Sequence, residues 1–174
     1  MGGTRMAIKS LDEKFAFELS TLFDAEHQFL EAQRQMVQQA SDNNLKSTLE
    51  KHIEQSEGQI RNLEQVFSAL EQEPKRMKSG AASGLIGDAQ KLMKEVAKNP
   101  QLLDPVIASA QAKVEHFEMA CYRGLVTGAQ QMDNQQVLKL LEQNLQQEEQ
   151  TAQTIEQSMP QLLQQAMSAN ERSA

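Results

Sequence analysis

The apolar residues of this chain recur every three or four positions in four long stretches, which is the spacing of an amphipathic helix. The first stretch begins after the helix-capping pair Ser10 and Glu13 and ends before the turn-forming residues 41–44. The second covers about residues 45–73 and is stopped by Pro74. Because only a tight turn separates them, these two stretches predict an antiparallel helical hairpin.

The remaining pattern predicts a long crossover followed by a second hairpin. Residues 74–104 are marked by glycine and proline and hold one short helical pattern at about 85–97. Asp104, followed by proline, reads as the N-cap of a third long helix, and Asp133 with Gln136 as the capping box of a fourth. A single long crossover is typical of ferritin-like bundles. We therefore expect an all-α, ferritin-like antiparallel four-helix bundle with a short fifth helix in the crossover.

Composition supports one helical domain. The chain has 174 residues, 4% of them aromatic and none tryptophan, so its core must come from helix-compatible aliphatic residues. We expect a flexible leader at 1–9, the bundle at 10–167 and a flexible tail at 168–174.

Charge, cysteine content and apolar surface limit the partners and the cellular location that we expect. A net charge of −7 disfavours nucleic-acid binding, and no apolar run is long enough to span a membrane. The lone cysteine, Cys121, cannot form an intrachain disulfide and favours a reducing, cytoplasmic location. Apolar residues near the crossover exceed what one bundle core needs and predict a homodimer. These residues are Val66, Leu70, Leu85, Ile86, Leu92, Met93 and Val96.

Carboxylates interrupt the apolar stripe of every long helix. On the second helix, Glu57 follows Ile53 by four positions and precedes Ile60 by three, so it shares their predicted inward face. A carboxylate on such a face needs a proton, a cation or a metal to neutralise it. We expect six residues to face one another at similar depth: Glu26, Glu54, Glu57, Glu115, Glu118 and Glu148.

Two divalent cations would relieve the repulsion within such a set. For any one glutamate, a position at the core boundary is the simpler interpretation, whereas the full set favours a metal site. By the same helical count, His27, His52 and His116 fall one or two positions off the ligand face. We expect them on the solvent side or supporting the ligands. Tyr122 can hydrogen-bond a ligand carboxylate, although packing explains it more simply.

Four segments resemble the YciE/YciF stress proteins, a ferritin-like family sometimes labelled ferroxidase. The segments are LFDAEHQ at 22–28, HIEQSEGQI at 52–60, GLI at 84–86 and AKVEHFE at 112–118, and the similarity covers about residues 8–165. Read position by position, the resemblance implies metal ligands at Glu26, Glu54, Glu115, Glu118 and Glu148.

The chain departs from the family pattern at two positions. Glu57 stands where the histidine of Glu-x-x-His is expected, and Thr151 stands one turn after Glu148, where a second histidine is expected. A site made only of oxygen ligands favours manganese, or magnesium or calcium, relative to iron. It also weakens the case for oxidative chemistry.

Two functions follow from these patterns together with the family resemblance. The first is a di-metal carboxylate protein of the stress response that holds two divalent ions, iron or manganese, and oxidises ferrous iron or handles peroxide or dioxygen. The alternative is a non-enzymatic, dimeric helical scaffold with a weak or vestigial metal site. No serine–histidine–aspartate set, phosphate loop or zinc-ligand spacing supports a hydrolase or transferase.

Overall fold

A computed structural model describes residues 7–171 and confirms the all-α bundle with a helix in its crossover. No strand occurs among these residues, and none of their helices is both long and apolar enough to cross a bilayer. Residues 1–6 of the predicted leader and 172–174 of the predicted tail lie outside the described part. The helices are α1 (Leu11–Val37), α2 (Asn43–Ala69), α3 (Gly80–Glu95), α4 (Leu103–Gln131) and α5 (Gln135–Glu171), with a 3-10 turn at Pro100–Leu102.

The four long helices form two hairpins that pack side by side. Helix α1 contacts α2 and α4, and α5 contacts α4 and α2, so each long helix has two long neighbours. Helix α3 lies across α1 and α4. Helix α3 therefore covers part of the apolar surface near the crossover, while Leu92 stays 44% exposed. Val66 and Met93 are buried within the protomer, and Leu85 and Ile86 pack against the core.

A side chain caps α1 as the sequence indicates, whereas the caps predicted for α4 and α5 are wrong. Ser10 Oγ accepts a hydrogen bond from the Glu13 N–H at 3.1 Å. At the start of α5, however, the cap is Asn134, whose Oδ1 accepts from the Val137 N–H at 3.1 Å. The predicted cap Asp133 instead adopts a left-handed backbone with φ of 51° and closes the turn between α4 and α5.

Asp104 does not cap α4 as predicted, because the helix already begins at Leu103. Its carboxylate instead accepts hydrogen bonds from the backbone N–H groups of Ser41 at 2.7 Å and Asp42 at 3.0 Å. The first turn of α4 is thereby tied to the turn between α1 and α2. The carboxylate satisfies backbone donors that this turn would otherwise leave unpaired.

Other predicted boundaries also differ from the observed ones. Helix α2 ends at Ala69, four residues before the predicted end, and α3 begins at Gly80, five residues before the predicted start. Ser79 sets the earlier start of α3, because its Oγ accepts from the Ala82 N–H at 3.2 Å. Helix α5 runs through Pro160 and continues to Glu171, so it includes the first residues of the predicted tail.

A buried aspartate holds the crossover against α1. The Asp24 carboxylate accepts hydrogen bonds from Arg76 Nε at 3.0 Å, the Ser79 N–H at 2.9 Å and Gln28 Nε2 at 2.6 Å. Burial alone would raise the pKa of Asp24, but the hydrogen bonds from Ser79, Gln28 and Arg76 hold it below its usual value. The ionised carboxylate therefore fixes the start of α3 on the bundle.

The core consists of two apolar clusters with a polar layer between them. One cluster contains Phe15, Leu63 and Leu141, and the other contains Leu45, Ile107 and Ile155. The helical segments between the two clusters carry buried polar side chains instead. This layer is made of Glu26, Gln33, His52, Ser56, Gln59, Gln111, Glu115, Glu118, Asn144, Glu148 and Thr151.

Gly124 and Gly128 lie one turn apart on α4 and provide a matched test of core packing. A Cβ atom on Gly128 would stand 2.8 Å from Cδ2 of the buried Phe15 ring, whereas one on Gly124 meets nothing within 4 Å. We expect Gly124→Ala to raise the free energy of unfolding by about 0.5–1 kcal/mol through helix propensity. Gly128→Ala should lower it by about 1–2 kcal/mol, because the ring must shift. Urea unfolding followed by circular dichroism measures both, and equal stabilisation would contradict this packing.

Candidate metal centre

Four side chains with metal-ligating atoms converge in the polar layer. His52 comes from α2, Glu115 and Glu118 from α4, and Glu148 from α5, and one ligand atom of each lies within 4.8 Å of the others. His52 Nε2 is 3.1 Å from Glu115 Oε1. Atoms that share a cation at ~2.1 Å lie within ~4.2 Å of one another, so small side-chain movements suffice for all four to contact one ion.

Helix geometry explains why these residues meet. Glu115 and Glu118 are three positions apart on α4, so their side chains leave the helix on the same face. On α2, the fully inward positions at this depth are His52, Ser56 and Gln59, which follow one another at intervals of four and three. Residues 115–118 and 148 face His52 because α4 and α2 both pack against α5.

Glu26 adds a fourth carboxyl group beside this cluster. It is 1% exposed and accepts a hydrogen bond from the hydroxyl of Tyr122. That hydroxyl also accepts from Asn144 Nδ2 at 3.0 Å, and Asn144 Oδ1 accepts from Asn62 Nδ2 at 2.7 Å. Tyr122 thus hydrogen-bonds a predicted ligand as well as filling the core. Glu26 is close enough to Glu118 for a protonated carboxyl to bridge them.

Burial raises the pKa of every carboxyl group in the cluster and so favours its protonated form in the absence of a cation. It is the main cause that raises the pKa of Glu26 to about 8, with the charge of Glu148 adding to it. Burial likewise raises the pKa of Glu115 to about 7. The pKa of Glu118 and that of Glu148 are raised well above their usual value by burial and then by the neighbouring carboxylates. In the metal-free protein, protons on these carboxyl groups therefore provide the neutralisation that a bound cation would otherwise provide.

Unpaired oxygen atoms show that the cluster fits a cation. As ionised groups, Glu115 Oε2, Glu118 Oε2 and both carboxyl oxygens of Glu148 are buried without a hydrogen-bond donor among the described residues, and Glu115 and Glu148 can pair only by sharing a proton. Buried polar atoms are normally paired, because leaving them unpaired costs free energy. Carboxylate oxygen and imidazole nitrogen are ligands that iron, manganese and zinc accept. The residues present therefore suit a divalent transition-metal ion.

Two of the six predicted ligands are not brought to this cluster. Glu54 lies on the exposed face of α2. The predicted inward position of Glu57 is wrong, since its side chain is 42% exposed and pairs with Arg34 Nη2 at 2.6 Å. The structure brings together Glu115, Glu118 and Glu148, with Glu26 beside them. Their role as ligands stays a prediction.

The placement of His52 off the ligand face is also wrong. Its ring is 1% exposed and points into the cluster, so the site offers nitrogen as well as oxygen. The inference of an all-oxygen site fails with it. An apolar stripe through Ile53 and Ile60 predicts a different inward face, but Ile53 is only half-buried whereas His52 is buried. The signal that could have located His52 is its spacing of three from the buried Leu49.

His27 and His116 lie outside the cluster. His27 Nδ1 contacts the Phe23 carbonyl oxygen at 2.8 Å, and His116 Nε2 contacts Glu156 Oε1 at 2.6 Å on the surface.

Comparison with known proteins gives consistent matches along most of the chain. The family model described as Domain of unknown function (DUF892) matches residues 10–168. Protein YciF of Escherichia coli K12 is 33% identical over 147 residues, which cover 84% of this chain and 88% of that protein.

Solved structures agree in fold as well. The crystal structure of the E. coli stress protein YciF superposes with a TM-score of 0.84 at 30% identity, covering 90% of this chain and 99% of that chain. YcfI of Rhodopseudomonas palustris, described as a candidate structural protein, superposes with a TM-score of 0.85 at 28% identity, covering 88% and 98%.

The stored protons make the stability of the metal-free protein depend on pH. A carboxyl with a raised pKa keeps its proton in the folded state, whereas the unfolded chain releases it near the usual value of 4.5. Stability should therefore fall as the pH rises from about 5 to about 8, at about 1.4 kcal/mol per pH unit for each proton retained. His52 acts in the opposite direction only below about pH 7, because burial lowers its pKa and keeps the folded ring neutral.

Urea unfolding in chelator at pH 7 and pH 8 measures this slope. Glu148→Gln should make the decrease of stability with pH shallower and should raise the free energy of unfolding at pH 8. Glutamine is neutral at every pH, so the folded state no longer has to hold a proton at this position. The matched control is Glu149→Gln on the same helix, since Glu149 is exposed and pairs with Arg123 at 2.8 Å. A parent protein that becomes more stable from pH 7 to pH 8 would contradict the burial of uncompensated carboxyls.

Proposed function

We propose that the buried cluster of this chain is a metal centre of the ferritin-like, di-metal carboxylate kind. The chain belongs to the family described as Domain of unknown function (DUF892). The observation that carries this proposal is the set of buried, unpaired oxygens of Glu115, Glu118 and Glu148 around the ring of His52. The metal centre acts on ferrous iron as substrate, or on peroxide or dioxygen. We place this activity in the stress response because the similar E. coli protein YciF is described as a stress protein.

The residues of the cluster suit one ion directly and a second ion through Glu26. His52, Glu115, Glu118 and Glu148 supply the four ligand atoms of the first position. Glu26 borders Glu118 and Glu148, so a second ion would share these carboxylates with it. A mixed nitrogen and oxygen set favours iron or manganese over magnesium or calcium.

The chain prepares this centre for oxidant chemistry in two ways. Apolar clusters on both sides of the polar layer exclude bulk water, which strengthens every electrostatic interaction within it. A cation that binds to Glu115, Glu118 and Glu148 displaces the protons of their carboxyl groups. The negative charge of the cluster therefore increases to balance the charge of the ion. A bound iron or manganese ion supplies Lewis acidity and the electrons for redox chemistry.

A second candidate function is a non-enzymatic helical scaffold. The observation that favours it is the hydrogen-bonded layer itself, because protons alone can neutralise the cluster and let the bundle fold without metal. The description of YcfI as a candidate structural protein agrees with this alternative. In either case we propose a cytoplasmic homodimer as the working form, and light scattering at micromolar concentration tests the dimer.

Metal binding distinguishes the two functions. We expect protein purified without chelator to contain one to two iron or manganese ions per chain and to bind manganous ion in a calorimetric titration. Glu148→Gln and His52→Gln should each weaken binding roughly tenfold or more, because each removes a ligand worth at least about 1.4 kcal/mol. Ferrous iron with peroxide then tests turnover through the absorbance of the ferric product.

Glu57→Gln is the matched control for these variants. It changes a glutamate of α2 that lies on the surface, so it should leave manganous affinity unchanged. A parent protein that binds no metal, or ligand variants that bind as tightly as the parent, would reject the metal centre in favour of the scaffold.

A further inference from the structure

A small cavity lies where the crossover helix α3 packs across α1 and α4. It has a volume of about 40 Å³ and is lined by residues of these three helices. A cavity needs only about 10–15 Å³ to hold one water molecule, so this cavity has room for a molecule of two atoms. Helix α3 supplies Ile86 and Met93 to its wall, α1 supplies Met36, and α4 supplies Ala110 and Val114.

The wall of this cavity changes from polar at the surface to apolar inside. Its outer side is lined by three exposed glutamines, Gln35, Gln39 and Gln90. Met36 and Met93, in contrast, are 7% and 8% exposed and belong to the apolar core. Transfer of an apolar molecule from water to such surroundings is favourable. The outer side therefore faces solvent, and the interior suits an apolar guest.

Gln33 separates the cavity from the carboxyl cluster. It lines the cavity and is 1% exposed. Its Oε1 accepts a hydrogen bond from Ser56 Oγ at 3.4 Å, and Ser56 Oγ lies 3.4 Å from His52 Nε2. Val114, which is also in the wall, directly precedes Glu115 of the cluster on α4. Only the side chains of Gln33 and Ser56 therefore lie between the cavity and the ring of His52 along this line of contacts.

The hydrogen-bonding capacity of the wall argues against water as the occupant. Among the described residues that line the cavity, Gln33 Nε2 is the one buried side-chain nitrogen or oxygen without a partner. A buried water molecule typically makes about three hydrogen bonds, and hydrogen peroxide has an O–H group at each end to satisfy. The buried wall offers either molecule a single nitrogen. A diatomic gas needs no hydrogen bond and loses nothing there.

We propose that this cavity binds dioxygen and is the path by which dioxygen reaches the carboxyl cluster from solvent. The exposed glutamines line the entrance, the apolar wall binds the gas, and Gln33 forms the boundary with the cluster. Helix α3 gains a function in this way, because its side chains form one wall of the path. Binding of the gas is a property of the metal-free protein, and only the use of dioxygen at a bound ion rests on the proposed function.

NMR of the chelator-treated protein under dioxygen pressure tests the site. Dioxygen is paramagnetic and speeds the relaxation of nearby protons, so labelled methionine methyl groups report where it binds. Met36 and Met93 line the cavity, whereas Met119 is buried to the same degree, at 7% exposed, and does not line it. Dioxygen should relax Met36 and Met93 several-fold more than Met119, with nitrogen at the same pressure as the diamagnetic reference. The ring protons of His52 should also relax faster than Met119 if the gas reaches the cluster.

Variants that fill the cavity test the path. Ala110→Leu places three more carbon atoms in the wall and should abolish the excess relaxation of the two cavity methionines and of His52. Ala32→Leu is the second filling variant and acts from α1 at a half-buried position, where a larger side chain disturbs the packing less. The matched control is Ala120→Leu on the same helix as Ala110, because Ala120 is exposed and should leave the excess relaxation unchanged.

The outcomes separate the dioxygen site, the path and the proposed function. Equal relaxation of the three methionines in the parent overturns the site, and so does magnetisation transfer from water to Met36 or Met93, which would place water there instead. Relaxation of His52 that does not exceed that of Met119, or that persists in both filling variants, overturns the path. If the parent binds no metal, the proposed function fails, and the relaxation result still decides the dioxygen site.

Discussion

The burial of ionisable groups at the centre of the bundle is the constraint on which the rest of the structure depends. Four carboxyl groups and the ring of His52 lie where each ionised group loses nearly all of its hydration. The apolar clusters above and below this layer make the loss larger, because they keep water out. Either protons or cations must therefore neutralise the layer, and the two compete for the same oxygens.

The surrounding polar side chains are arranged to orient the cluster while leaving its inner oxygens unpaired. Tyr122, which accepts a hydrogen bond from Asn144, donates to Glu26, and Gln111 donates to Glu115. An apolar layer of the same shape would cost less, since a partly satisfied polar network destabilises a core. Retaining such a layer makes physical sense when a bound ligand completes it.

The presence of His52 in the cluster changes its chemistry relative to a site made of carboxylates alone. An imidazole nitrogen favours transition-metal ions over magnesium and calcium, whose preferred ligands are oxygens. Neutral imidazole in place of a carboxylate also lowers the negative charge of the cluster, and with it the positive charge needed for neutrality. The identity with YciF over most of the chain supports the fold of this bundle, while the ligand chemistry follows from the residues themselves.

The sequence by itself determined the fold and most of the cluster. Four helical stripes, the turns between them and one long crossover suffice for the bundle, because periodicity and turn chemistry are local properties. The sequence locates Glu118 and Glu148 because each is flanked by apolar residues that leave one inward direction. On α2 that direction is ambiguous. Only packing against α1 and α5 decided which face turned inward, and this rotation buried His52 and left Glu57 with Arg34, since successive helix residues differ by about 100° in direction.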